Sequence, residues 1–225
     1  MHLNSSQMHL CTSWKRLILK KEGFHRKTSV FLQQRSRLEW SKLRYVDSIK
    51  KLSKVLKPAL EGQDAGAAVV LLLKTTDKDL RILFVKRAEN PADPWSGQMA
   101  LPGGKRDATD QSLKQTVVRE TLEETNINLL DRCRFLGVME TLTSTPRPEM
   151  KIVPFVVLLE HEPSIKLNEE LERFVWISPE ELVRHRGTVK FSFGEFPAYV
   201  VGNIIIWGLT YRILEIFVHI LDYPH

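Results

Sequence analysis

A double glycine precedes an acidic helical run in the segment Leu101–Ile127, LPGGKRDATDQSLKQTVVRETLEETNI. In a helix over this run, Glu120 lies one turn before Glu124 and three residues before Glu123. The three carboxylates are therefore expected on one side of the helix, within roughly 6 Å of one another. Like charges at this spacing weaken a helix by roughly a few tenths of a kcal/mol per pair, unless a cation offsets the repulsion. The pattern predicts a cation site.

Oxygen ligands alone favour Mg²⁺ or Mn²⁺, because zinc prefers His and Cys. Gly103 and Gly104 can adopt backbone conformations that are closed to other residues, so a main-chain carbonyl or amide could approach a metal or a phosphate. The alternative is a solvated helix face, in which Arg119 and Glu123 form an ordinary ion pair at i, i+4. The glycine turn close to the acidic helix favours the metal site.

These residues resemble the signature of the Nudix hydrolases, which is Gly, five residues, Glu, seven residues and then Arg-Glu-U-x-Glu-Glu-x-Gly-U, where U is aliphatic. The stretch 119–127 is similar to the second half of this signature. Thr121 stands where an aliphatic residue is expected, and Asn126 replaces the second Gly. Asn tolerates the left-handed conformation that ends many helices, so Asn126 can serve there. The upstream Glu position is taken by Gln111, with one additional residue after Gly104, and a neutral amide supplies no negative charge.

The resemblance implies an α/β fold, the Nudix-type α/β/α sandwich with a mixed β-sheet. It also implies hydrolysis of a diphosphate linkage with the help of divalent cations, which neutralise phosphate oxygens and acidify the attacking water. It implies Glu120 and Glu124 as the principal metal ligands and the Gly104 carbonyl as a further contact. Glu123 is then an additional ligand or holds the water, and Arg119 orients the carboxylates.

A general base can come from a later loop, as in many members of the family. Glu170 lies six residues before Trp176, where such a loop would enter a strand. Glu169 and Glu172 are rivals for this role. A solvated acidic turn is the alternative interpretation of all three acids.

The segment LFVKRAENPADPWSGQMALPGGKRD resembles the coenzyme A diphosphatase branch of the family at Arg87, Ala88, Gly97 and the turn 102–104. This resemblance implies coenzyme A or its acyl esters as substrates, and Arg87, Gly103 and Gly104 as substrate-binding residues. However, Ala92 or a neighbouring Pro stands where that branch has an Arg, and the spacer is one residue longer. The missing cation would plausibly meet a substrate phosphate.

Other functions remain open at this point. The alternative substrates are ADP-ribose, dinucleoside polyphosphates and nucleoside triphosphates. An alternative of another class is a catalytically silent Nudix-fold module that binds a nucleotide, of which Gln111 and Asn126 would be early signs. Trp95 is a candidate for stacking on an adenine or for packing within its loop.

Charge divides the chain unevenly. Residues 1–60 carry 14 Lys and Arg against 3 acids, whereas the remainder has a net charge of −5. The pI near 9.3 is thus a property of the N-terminal part, so nucleic acid is not an expected partner. We predict a basic, disordered extension over 1–36 and a Nudix hydrolase domain over 37–225, which binds a small nucleotide-derived molecule and has a homodimer as its candidate assembly.

Two widely separated cysteines, Cys11 and Cys133, favour a reducing compartment. A cytoplasmic location is expected, and an organellar transit peptide in the basic segment is the alternative. The apolar run 198–221 is interrupted by polar residues and is predicted to be a core helix rather than a membrane span. The other predicted elements are helices over 40–56, 111–125, 178–185 and 203–221, and strands over 67–73, 81–85, 99–102, 133–140, 152–159 and 173–177.

Overall fold

A computed structural model describes residues 46–58, 65–77, 79–93, 95–145 and 147–223. The predicted basic extension over 1–36 and the start of the predicted helix over 40–56 lie outside these ranges. Within them, none of the helices has the length and apolar character needed to span a membrane.

The described chain alternates strands with four helical segments, in the order expected of a mixed α/β protein. The helices are α1 (46–55), α2 (Leu113–Thr125), α3 (Pro179–Arg184) and α4 (Gly208–Ile220). The strands are β1 (Ala67–Thr75), β2 (Leu80–Arg87), β3 (Met99–Ala100), β4 (Gly103–Lys105), β5 (Cys133–Val138), β6 (Leu142–Thr143), β7 (Lys151–Leu159), β8 (Leu171–Ile177), β9 (Arg186–Phe191), β10 (Gly194–Val201) and β11 (Ile204–Trp207).

A mixed sheet forms the centre of the fold, with the order β3-β2-β1-β7-β5, and in addition β4 pairs with β1, β6 with β7 and β8 with β2. Strands β1 and β7 pair in parallel, and the other pairs are antiparallel. Both faces of β1 are buried, which explains its continuous apolar sequence.

The two faces of the sheet carry separate hydrophobic cores. On β1, Leu71 and Leu73 belong to one core, and Val70 and Leu72 belong to the other, because successive side chains of a strand point to opposite faces. Helix α2 packs on the second face, whereas α1, α3 and α4 contribute to the first. The predicted α/β/α sandwich with a mixed sheet is confirmed.

The prediction of a helix over 203–221 is wrong in its first part. Residues 204–207 form β11, which pairs with β10 in a second, three-stranded sheet, and α4 begins only at Gly208. Three consecutive Ile residues favour a strand, because β-branched side chains pack well on a pleated surface. Gly202 takes a left-handed φ of 61° in the two-residue turn that joins the strands. The Gly-Asn dipeptide was a hairpin signal in the sequence.

Candidate active site

Helix α2 carries the acidic cluster and has defined ends. The Ser112 side chain accepts a hydrogen bond from the backbone N–H of Gln115 at 3.2 Å, which caps the N-terminus. At the other end, Asn126 adopts a left-handed φ of 60°, and its N–H donates to the carbonyl of Leu122 at 2.9 Å. The prediction that Asn126 can replace Gly at the helix C-terminus is therefore confirmed.

The glycine turn lies directly beneath this helix. Gly103 and Gly104 begin β4, which pairs with β1 at Val69 and Ala68. A Cβ atom on Gly103 would lie 2.3 Å from the Ala68 carbonyl oxygen, and Gly103 has a φ of 137°. A Cβ atom on Gly104 would lie 2.5 Å from the carboxyl carbon of Glu120. Position 103 therefore requires glycine, because the backbone has a left-handed φ and lies close to the backbone of β1. At position 104, a side chain would displace the Glu120 carboxylate.

Glu124 is the more deeply buried of the two acids at the turn, with 4% of its surface exposed. The backbone N–H of Gly103 donates to Glu124 Oε2 at 2.9 Å. Burial raises the pKa of Glu124 to about 8, and the nearby Glu120 carboxylate adds to the increase. Burial also raises the pKa of Glu120, against the opposing effect of Arg119. Two desolvated carboxylates thus lie where a cation would stabilise their charged forms.

Arg119 links the acidic helix to the loop that follows the glycine turn. Its guanidinium donates to both carboxylate oxygens of Asp110, at 3.2 Å and 2.9 Å, and its Nη1 lies 2.9 Å from Glu120 Oε1. Asp110 is 4% exposed, and the hydrogen bonds from Arg119 lower its pKa to about 2. The expected role of Arg119 in orienting the carboxylates is consistent with this geometry.

Asp110 is the residue that the sequence reasoning missed. We compared the upstream acid of the signature with Gln111, but the acid that meets Arg119 is Asp110, whereas the backbone N–H of Gln111 donates to Gln115 Oε1. Counting forward from Gly104 reaches Asp110 after five intervening residues, which is the spacing of the signature. The seven-residue spacing of the signature before Arg119 leads instead to Gln111, so the additional residue lies between Asp110 and Arg119.

Glu123 does not join the other two acids in the cavity. Its side chain is 55% exposed and lies 3.1 Å from Arg119 Nη1. Within the described ranges, no three His, Cys, Asp or Glu side chains gather closely enough to form a metal site by themselves. Of the three acids expected to lie together, only Glu120 and Glu124 line the cavity. A role for Glu123 as a ligand or as a water-holding residue stays a prediction.

A cavity with a volume of about 880 Å³ opens over the glycine turn. This volume lies in the upper part of the range of about 300–1,000 Å³ that is usual for small-molecule sites. Most of the predicted site residues line it, namely Arg87, Gly103, Gly104, Glu120, Glu124 and Glu170.

Glu170 reaches this cavity because its loop is attached to helix α2. The backbone N–H of Asn168 donates to the carbonyl of Glu124 at 3.2 Å, and the Asn168 side chain accepts from the N–H of Glu170 at 3.1 Å. The rivals Glu169 and Glu172 are absent from the residues that line the cavity, and Glu172 pairs with Lys86. Of these three acids, Glu170 is thus the one that lines the cavity, and its role as a general base stays a prediction.

The loop between β2 and β3 forms another part of the wall. Arg87 Nε donates to Asp93 Oδ2 at 2.6 Å, and the other oxygen of Asp93 accepts from the backbone N–H of Trp95 at 3.0 Å. The Trp95 ring lies 5.3 Å from the guanidinium carbon of Arg147, which comes from the loop between β6 and β7. Trp95 and Arg147 thus form a cation–π contact in the cavity wall.

The opposite wall is apolar and comes from the second sheet and α4. Phe196 and Trp207 line the cavity, and their ring centroids are 5.4 Å apart. Phe191 packs 4.6 Å from Trp207, and Phe193, which is 68% exposed, stacks on Phe191 at 5.2 Å. The cavity therefore combines a charged end at the glycine turn with aromatic and aliphatic surface.

The donor set at the charged end fits a hard divalent cation. Glu120 and Glu124 offer carboxylate oxygens, Gly104 offers a carbonyl, and these are the oxygen ligands that Mg²⁺ and Mn²⁺ prefer. The raised pKa values of both acids follow from burial, which a bound cation would counteract.

The described residues thus form an α/β/α sandwich in which a glycine turn and a carboxylate helix lie at one end of a small-molecule cavity. Comparison with known families agrees. The profile of the NUDIX domain matches residues 64–196, and the chain belongs to this family.

Three relatives illustrate the similarity. An uncharacterized protein of Schizosaccharomyces pombe is 40% identical over 93 residues, which cover 39% of this chain and 28% of that protein. The chloroplastic Nudix hydrolase 22 of Arabidopsis thaliana is 30% identical over 175 residues, which cover 66% of this chain and 52% of that protein. A peroxisomal coenzyme A diphosphatase of Caenorhabditis elegans is 29% identical over 172 residues, which cover 74% of this chain and 72% of that protein. The chain thus spans about half or less of the length of the first two.

Proposed function

We propose that this protein is a Mg²⁺- or Mn²⁺-dependent pyrophosphohydrolase that cleaves a nucleoside diphosphate linked to another moiety. The observation that carries the proposal is the burial of Glu120 and Glu124 against the Gly103–Gly104 turn at one end of the cavity. Family membership supports it.

Glu120, Glu124 and the Gly104 carbonyl are the groups that would hold the cation. When bound, it would neutralise phosphate oxygens and lower the pKa of water. The N–H of Gly103 holds Glu124 in place through its hydrogen bond at 2.9 Å, and Arg119 holds Glu120 through an ion pair at 2.9 Å. Both acids are thereby oriented before the substrate binds, which reduces the rearrangement needed in the transition state.

Glu170 is the general base in this proposal. Its carboxylate lines the same cavity as the two ligands, and its backbone carbonyl accepts the N–H of Ala88 at 2.8 Å, so its loop is tied both to β2 and to α2. A base in this position can accept the proton of the attacking water. Glu123 remains a second candidate for holding that water.

The preferred substrate is coenzyme A or an acyl ester of it. Three observations support this choice: the match at Arg87, Ala88, Gly97 and the Pro-Gly-Gly turn, the similarity to a coenzyme A diphosphatase, and the cavity. A diphosphate alone needs only the charged end of the cavity. The apolar wall at Phe196 and Trp207 suits the less polar remainder of such a molecule.

A panel of substrates tests the proposal. Coenzyme A, acetyl coenzyme A, ADP-ribose, diadenosine tetraphosphate and a nucleoside triphosphate are compared at equal concentration with Mg²⁺ or Mn²⁺, and kcat/KM is measured from the nucleotide product of each cleavage, separated by chromatography. We expect coenzyme A or its ester to rank first. A preference of more than about tenfold for another member, about 1.4 kcal/mol of transition-state discrimination, would overturn the substrate but not the metal site.

A catalytically silent binding module is the alternative of a different class. It predicts that nucleotides bind without release of phosphate in either cation. The pairing of Asp110 with Arg119 weakens this alternative, since the acid that Gln111 lacks is supplied by its neighbour.

Location and assembly stay predictions. The names of two relatives refer to chloroplasts and peroxisomes, so they favour no single compartment for this chain. A cytoplasmic location with an organellar alternative, and a homodimer, are tested by imaging a tagged full chain and by measuring its mass in solution.

A further inference from the structure

The loop between β2 and β3 offers the cavity few cationic side chains that could bind a substrate phosphate. The coenzyme A branch has an Arg near position 92, but this chain has Ala92, which also lines the cavity. Arg87 lies close by, but its charge is already paired with Asp93 at 2.6 Å. A substrate with an additional phosphate needs a cation from elsewhere.

Arg147 meets this need by its position. It lines the same cavity, although it comes from the loop between β6 and β7, 52 residues after Trp95. Its carbonyl accepts the N–H of Met150 at 2.9 Å in a turn that shapes the loop. Across the described ranges, its guanidinium forms no ion pair and no side-chain hydrogen bond, and its contact is with the Trp95 ring at 5.3 Å. All five N–H donors therefore remain available.

Trp95 holds this guanidinium in place. A cation–π contact attracts the charge without using the N–H donors, so it restrains the long side chain and leaves its hydrogen-bonding capacity free. Trp95 is in turn restrained by Asp93, which accepts its backbone N–H at 3.0 Å. Asp93 thus pairs with Arg87 and also fixes the residue that supports Arg147.

Lys105 is the other cation that lines the cavity without an ion pair in the described part of the chain. It directly follows Gly104, and its carbonyl accepts a hydrogen bond from Arg119 at 3.1 Å. It therefore lies at the carboxylate end, where the scissile diphosphate is expected.

We propose that Arg147, supported by Trp95, binds a substrate phosphate that is separate from the diphosphate being cleaved, and so replaces the cation that Ala92 does not supply. In a coenzyme A substrate this group is the 3′-phosphate on the ribose. The planar guanidinium can donate two parallel hydrogen bonds to a phosphate, which makes Arg147 a specificity-determining residue. The proposal rests on the proposed function.

The test compares coenzyme A with dephospho-coenzyme A, which lacks only that phosphate. The wild-type protein, Arg147→Gln, Trp95→Leu and the surface control Arg134→Gln are assayed for kcat/KM on both compounds. We expect the wild type and the control to prefer coenzyme A by roughly ten- to a hundredfold, as for hydrogen bonds to a charged group. Arg147→Gln should lower kcat/KM for coenzyme A by at least the size of this preference and so abolish it. Trp95→Leu should reduce the preference in the same direction.

Equal losses on both compounds in Arg147→Gln, or an unchanged preference, would overturn the assignment of Arg147 and leave the proposed function standing. A wild type that cleaves neither compound would instead overturn coenzyme A as the proposed substrate. Calorimetry then tests Arg147 independently of catalysis, by measuring the affinities of the protein for adenosine 3′,5′-bisphosphate and AMP. Tighter binding of the bisphosphate that disappears in Arg147→Gln supports the phosphate site, and equal affinities of the wild type for the two probes overturn it.

Discussion

Arg119 donates two hydrogen bonds to Asp110 and at the same time lies 2.9 Å from the Glu120 carboxylate. Asp110 is nearly completely buried, and its own carboxylate also accepts the backbone N–H of Asp107 at 2.9 Å. The position of a proposed metal ligand therefore depends on an acid nine residues before Arg119, through one shared guanidinium.

Replacing Asp110 tests this dependence. Asp110→Asn removes the charge that faces Arg119, so we expect kcat to fall by about tenfold or more and the free energy of unfolding to fall by about 3 kcal/mol, as when one partner of a buried ion pair is lost. Steady-state kinetics and urea unfolding measure the two effects. Gln111→Ala is the control, since this neighbouring side chain is exposed. Equal behaviour of both variants would contradict the role of Asp110.

The pH dependence of stability gives an independent measure of the same pair. Asp110 has a pKa of about 2 in the folded protein against an ordinary value of 3.8, so its stabilising contribution is present above pH 4 and is lost as the pH falls towards 2. The lowered pKa corresponds to about 2 kcal/mol. We expect the stability difference between wild type and Asp110→Asn to shrink between pH 5 and pH 2.5 in urea titrations. A constant difference would show that the charge of Asp110 is not responsible.

The proposed ligands are tested by neutral replacements of the same shape. Glu120→Gln and Glu124→Gln should each lower kcat by about 10² or more, because electrostatic stabilisation is a dominant catalytic contribution. Glu160→Gln, a surface change, is the control and should retain wild-type kcat. Wild-type turnover in either site variant would remove that residue from the site.

The same variants separate binding of the cation from folding. Mg²⁺ or Mn²⁺ should raise the Tm of the wild type and should not raise that of Glu124→Gln, because a ligand stabilises only the state that binds it. In the presence of a chelator, Glu124→Gln should match or exceed the wild-type Tm, since burial raises the pKa of Glu124 and so disfavours its charge. Scanning calorimetry measures these differences, and an equal response of both proteins to the cation would contradict the metal site.

Thr121 offers a prediction about stability alone. It is 0% exposed, its Oγ1 has no hydrogen-bond partner among the residues that the structure describes, and the family signature has an aliphatic residue at this position. Thr121→Val removes a buried unpaired hydroxyl without changing the shape of the side chain, so we expect a gain of about 1 kcal/mol in the free energy of unfolding. Thr125→Val is the matched control and should be destabilising, since Thr125 Oγ1 donates to the Thr121 carbonyl at 2.6 Å. A loss of stability in Thr121→Val would contradict this account.

The disordered extension over residues 1–36 is a prediction from composition. Seven basic residues against one acid in a segment rich in polar residues indicate an extension that the domain does not need. A chain that begins at Arg37 should keep its Tm and its kcat. A Tm lowered by several degrees would show that the extension packs on the domain, and import of a reporter carrying the segment into an organelle would support a transit peptide.

Short-range patterns in the sequence were enough to predict helix α2, the requirement for glycine at position 103, and the left-handed end at Asn126. Each depends on residues within a few turns of one another, where periodicity, backbone freedom and capping have direct physical consequences. The alternating and continuous apolar runs likewise predicted β1, β2 and β7 and hence the mixed sheet.

Only the tertiary structure decided which acids and cations face the cavity. The sequence gives no reason to choose among the acids Glu169, Glu170 and Glu172. Backbone hydrogen bonds from Asn168 to α2, and from the residue after β2 to Glu170, bring Glu170 to the cavity. Arg147 meets Trp95 across a large separation in the chain, and β11 forms because it pairs with β10. Such contacts arise when distant segments pack on a common sheet, so local patterns alone contain too little information to predict them.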